Sequence, residues 1–64
     1  MQKFIITSHR AGALPNEGCV ALQLAPQDEA GNDQAPMLLL LGPDQAEAIA
    51  QSLREAVQRL QPTN

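Results

Sequence analysis

The sequence predicts an α+β fold, a three-stranded antiparallel meander followed by one C-terminal amphipathic helix packed on one sheet face (βββα). Three observations carry it. β-branched and alternating apolar residues fill two stretches of the N-terminal half, an unbroken apolar run occupies Met37–Leu41, and a period of three and four residues begins after Gly42 and Pro43. A chain of 64 residues makes one domain, 1–64, in which residues 62–64 are expected to fray.

Residues 3–8, KFIITS, read as the first strand, with Phe4 and Ile6 on one side of the pleat and Ile5 and Thr7 on the other. Residues 9–18, HRAGALPNEG, hold two glycines, a proline and an asparagine, which predicts a loop. Residues 19–25, CVALQLA, set Val20, Leu22 and Leu24 against Ala21, Gln23 and Ala25, the alternation of a half-buried strand that Pro26 is expected to end. Residues 26–36 are polar, acidic and bounded by prolines, and predict a mobile hairpin loop with solvated charges. MLLLL at Met37–Leu41 lacks any polar alternate position, so it reads as a strand seeking burial on both faces.

Gly42 suits an N-cap, Pro43 the first helical position, and Asp44 and Glu47 the positive end of a helix dipole. Ala46, Ile49, Ala50, Leu53, Ala56, Val57 and Leu60 then form an apolar stripe opposite Glu47, Gln51, Glu55, Gln58 and Arg59. Pro62 stops the helix near Gln61, and its last turns are expected to overhang the sheet.

A chain this short builds a marginal core unless a disulfide, a metal or a second subunit adds to it. Cys19 is the only cysteine and His9 the only histidine, so neither an intrachain disulfide nor a metal site is expected. Self-association remains. If the helix covers the side of Phe4, Ile6, Val20, Leu22, Leu24, Met37, Leu39 and Leu41, then Ile5, Cys19, Ala21, Leu38 and Leu40 are left bare on the other. The third strand also lacks the lysine, proline or bulge glycine that shields an edge. A homodimer is predicted, joined by third-strand edges, by stacked faces or by both, with Ile5, Ala21, Met37, Leu38, Leu39, Leu40 and Leu41 as its interface. The competing expectation docks the same patch on a different protein.

The net charge is −3, the four basic residues are scattered, and Phe4 is the sole aromatic, so no nucleic-acid partner is expected. No apolar run reaches the length of a membrane span or of a signal-peptide core, which predicts no membrane partner and a cytoplasmic location. Cys19 reads as a small, buried apolar residue beside Val20, and a Cys19–His9 nucleophile pair has no orienting third group. Asp28, Glu29 and Asp33 miss calcium-loop spacing, and no phosphate loop or dinucleotide fingerprint occurs. No cofactor and no catalysis are expected. His9 and Arg10, with the backbone around Gly12, form a weak candidate anion contact.

The order of residue types in residues 39–60, LLLGPDQAEAIAQSLREAVQRL, resembles the C-terminal part of the BssS family of small bacterial proteins, at Leu41, Asp44, Ala46, Leu53 and Leu60. The resemblance covers about a third of the chain, and the tryptophan and tyrosine content of that family is absent. It implies a regulatory binding protein associated with biofilm formation, and brings no catalytic residue with it. The function expected is a small regulatory or adaptor protein acting by protein–protein contact, with the overhanging helix and the two loops as recognition surfaces. The alternative is a small-ligand binder whose pocket forms between subunits.

Overall fold

The computed structural model describes residues 1–61; the predicted fraying of residues 62–64 lies outside them. Strands β1 (Ile5–Leu14), β2 (Cys19–Gln27) and β3 (Met37–Leu41) form one antiparallel sheet in the order β1-β2-β3, and helix α1 (Pro43–Leu60) follows. The predicted βββα arrangement is the one observed.

The first hairpin is longer than the sequence suggests. Residues 9–14, expected in a loop, continue β1 and pair with β2 from His9↔Leu24 to Leu14↔Cys19. Only Pro15, Asn16, Glu17 and Gly18 remain to turn the chain. Pro15 has its φ preset for a turn, the Glu17 amide donates to the Leu14 carbonyl at 3.0 Å, and Gly18 takes φ +66°, a left-handed conformation that favours glycine. A closed turn fixes the register, so cross-strand pairing overrides the poor strand propensity of Arg10, Ala11, Gly12 and Ala13.

Pro26 does not end β2, which runs on to Gln27. The pairing with β1 shifts there: Ile6 faces Pro26, Ser8 faces Ala25, and Thr7 is the extra residue of a bulge. A proline is tolerated because its carbonyl accepts the Gln34 amide at 3.0 Å, so its missing N–H lies on that same side, past the last β2–β3 pair Leu24↔Met37 and away from β1. The Thr7 hydroxyl donates to the Ala25 carbonyl at 3.0 Å, and Pro26 is the one buried residue among those described.

Beyond Gln27 the segment is the hairpin loop expected, but Asp28 is not simply solvated within it and organises the turn. Its Oδ1 accepts the amides of Asn32 (2.9 Å) and Ala30 (3.0 Å), and its Oδ2 accepts the Asn32 side-chain amide at 3.2 Å. Gly31 completes the turn at φ +89°, and Gln27 donates to Asp33 at 2.9 Å across an isolated bridge. The Asn32 backbone amide, then its side chain, holds the Asp28 carboxyl below the ordinary aspartate value. The order that charge gives the turn is therefore present above the pKa of the unfolded chain and lost as pH falls through the lower folded value. In an NMR titration the Asn32 amide should follow a midpoint below that of a free aspartate. Asp28→Ala should speed exchange of the Ala30 and Asn32 amides; an unchanged exchange rate would show that the backbone bonds hold the turn alone.

Helix α1 begins as the sequence predicts. Gly42 is an extended N-cap without a side-chain bond, Pro43 opens the first turn, and the Ala46 amide donates to the Gly42 carbonyl at 2.9 Å. The polar face carries its own bonds, Gln51 to Glu55 at 3.1 Å and Arg54 to Gln51 at 2.9 Å.

Candidate interface

The sheet register defines two faces, because residues opposite each other share a side. One carries Ile6, His9, Ala11, Ala13, Val20, Leu22, Leu24, Pro26, Met37, Leu39 and Leu41, and is apolar across all three strands apart from His9. The other carries Ile5, Ser8, Arg10, Gly12, Leu14, Cys19, Ala21, Gln23, Ala25, Gln27, Leu38 and Leu40. Its apolar part is concentrated on β3, where Leu40 is flanked by the small residues Ala21 and Gly12 and Leu38 by Gln23 and Arg10.

Neither face is sealed. On the second face Leu38 is 66% exposed, Leu40 60% and Ile5 55%, while on the first Ile6 is 43%, Leu39 40% and Met37 37%. The lower exposures mark the first face as the side toward which α1 lies. Cover from α1 is nevertheless thinner than expected, because only Ala46, Ile49 and Ala50 of its stripe are half-buried, and two of those three are alanines. Beyond them Leu53, Val57 and Leu60 stand 61%, 52% and 85% exposed, so the predicted overhang begins by the third helical turn. Apart from Pro26, nothing among the described residues is buried.

The cost shows in the dimensions. A compact monomer of this mass exposes about 4,000 Å², whereas this chain exposes 5547 Å². Its radius of gyration is 14.2 Å, against about 11 Å for a compact domain of this length. The chain is therefore about 1,500 Å² more exposed than a compact monomer of its mass.

The two sheet edges differ in protection. β1 has the Thr7 bulge and the polar run Ser8, His9 and Arg10, both of which discourage edge pairing. β3 has neither.

The structure also places the remaining candidates. His9 and Arg10 lie on β1 with Gly12 outside the left-handed region, so no backbone nest exists, and successive side chains point to opposite faces. The anion contact loses the loop geometry it was based on. Cys19 is a free, half-buried thiol 4.0 Å from Glu17, at the strand end opposite Leu14. Among the described residues no three His, Cys, Asp or Glu side chains gather as a metal site, and no helix is long and apolar enough to cross a membrane. An open concavity of about 400 Å³ lies by Ser8, His9, Gln23 and Pro36.

These features define a class: a small βββα protein whose sheet and helix are formed while its apolar surfaces remain unpaired. Comparison with protein-family models, curated proteins and solved structures finds no match to this chain. The likeness of residues 39–60 to BssS proteins therefore rests on those residues alone.

Proposed function

We propose that this protein is a non-enzymatic homodimer that acts by binding another protein. The observation that carries the reading is the lack of any buried aliphatic or aromatic side chain among the described residues. A chain with that much open apolar surface requires another chain to complete its core.

Edge pairing of two β3 strands follows from the bare edge. Antiparallel pairing of identical strands places the twofold axis normal to the sheet, and centring on Leu39 aligns all five residues, with Leu39 opposite Leu39, Leu38 opposite Leu40, and Met37 opposite Leu41 of the second copy. The product is a six-stranded sheet with both helices on one side. On the other side Leu38 and Leu40 of both copies join into a flat apolar strip, bordered by Ala21 and Gly12 beside Leu40 and by Gln23 and Arg10 beside Leu38. That strip is the recognition surface. It replaces the two loops in this role, since one is a strand and tight turn and the other is tied to Asp28.

Sedimentation equilibrium at low micromolar concentration tests the reading, with a dimer expected; a folded species that stays monomeric overturns it. Leu40→Lys sets an ammonium beside Leu38 of the second copy and should weaken the dimer about tenfold or more. It should also abolish retention of any stoichiometric protein that the wild type captures.

A further inference from the structure

We propose that the concavity lined by Ser8, Arg10, Gln23, Ala25 and Pro36 binds a small organic carboxylate through the Arg10 guanidinium. Arg10 pairs with Gln23 and Ser8 with Ala25 across β1 and β2, which places all four side chains on one sheet face. β3 begins only at Met37, opposite Leu24, so no third strand lies beside Ala25. Ser8 and Ala25 are short beside Arg10 and Gln23, and the space above them, bounded by Pro36, has a volume of about 400 Å³. That volume falls within the range of small-molecule sites. The site lies on strands outboard of β3, so it stands whether or not a second copy joins there.

The chemistry of the lining selects the ligand. No carboxylate lines the concavity, so Arg10 has no acidic neighbour there to neutralise it. His9 belongs to the opposite face and takes no part, but Gln23 supplies an amide donor and Ser8 a hydroxyl on the side of Arg10. Directly opposed residues lie about 5 Å apart and a two-residue step along a strand is about 7 Å. One oxyanion can therefore meet the Arg10 fork together with Gln23 or Ser8. An arginine fork matches the two oxygens of a carboxylate. A single positive charge on a chain of net charge −3 suits one negative charge better than the two of a phosphate. Ala25 and Pro36 offer apolar contact to the body of the acid.

Amide NMR spectra of the full chain are titrated with sodium benzoate, and with sodium chloride at equal ionic strength. Saturable shifts centred on Ser8, Arg10, Gln23, Ala25 and the Gln23 side-chain amide are expected with benzoate and not with chloride. Arg10→Gln should weaken benzoate binding about tenfold or more, and Arg10→Lys, which keeps the charge without the fork, should weaken it less. Shifts that chloride reproduces overturn the proposal, as does an affinity unchanged by Arg10→Gln in a protein whose spectrum stays dispersed. If that variant does not fold, Ser8→Ala takes its place, with a severalfold loss expected and an unchanged affinity counting against the site. Sodium phosphate binding more tightly than benzoate overturns the choice of a carboxylate. A monomer in sedimentation leaves all of these readings intact, so failure of the dimer and failure of the site are told apart.

Discussion

If the proposed dimer forms, Leu39→Lys should convert it into an unfolded monomer at micromolar concentration. Leu39 sits in the middle row of the apolar face, beside Leu22, and at the centre of the β3 edge. In the proposed dimer it meets its own symmetry mate, so one substitution acts twice and sets two ammonium groups directly opposite each other. Losing the burial of two leucines costs about 3–6 kcal/mol per dimer, a factor of about 10² to 10⁴ in dissociation constant before the repulsion is counted. Among the described residues no aliphatic or aromatic side chain is buried in the single subunit, so dissociation and loss of structure should coincide in circular dichroism and sedimentation. Leu39→Met keeps volume and hydrophobicity and should cost less than about 1.5 kcal/mol. A Leu39→Lys protein that remains a dimer would overturn the assignment of β3 as the dimer seam, and one that stays folded as a monomer would overturn the coupling of folding to association.

The elements with strong local signals were legible in the sequence. Five leucine-rich residues bounded by Gly42 and Pro43 can be little other than a short strand, and the spacing from Ala46 to Leu60 admits only a helix. What escaped was set by partners distant in sequence. His9 to Leu14 have the composition of a loop and become strand because the turn at Pro15 to Gly18 lays them against Cys19 to Leu24. Pro26 reads as a terminator, yet its N–H edge faces Gln34, past the last β2–β3 pair, so β2 continues without that bond. Asp28 looks solvated until Asn32, four residues on, returns two hydrogen bonds to it.

The candidate interface was legible in part, for the same reason. Counting apolar positions against the cover one helix supplies singles out Ile5, Leu38 and Leu40, and all three stand open. The count assumed that the helix would seal its own side. It does not, because the residues that reach the sheet first, Ala46 and Ala50, are small, while the large ones, Leu53, Val57 and Leu60, come after the helix has left it. The order of side-chain sizes along the stripe was the available signal: a helix that covers its own sheet puts its bulk where the sheet is.

If folding and association are one event, stability must depend on concentration. The unfolding reaction yields two chains from one dimer, so each tenfold dilution removes about 1.4 kcal/mol of stability per dimer. Unfolding entropy near 60 °C is about 2.1 cal/mol/K per residue, or about 0.27 kcal/mol/K for two chains of this length, and the melting temperature should therefore fall by about 5 °C per tenfold dilution. Over a range from 100 to 1 micromolar the expected shift is on the order of 10 °C, well outside the error of a thermal melt. Refolding rates should likewise rise with protein concentration where association limits folding. A monomeric domain gives one melting temperature at every concentration, because its unfolding creates no additional particles. A flat melting temperature across that range would mean that a single copy finds its own burial in solution, and the open faces of the sheet would then need an explanation other than a second copy.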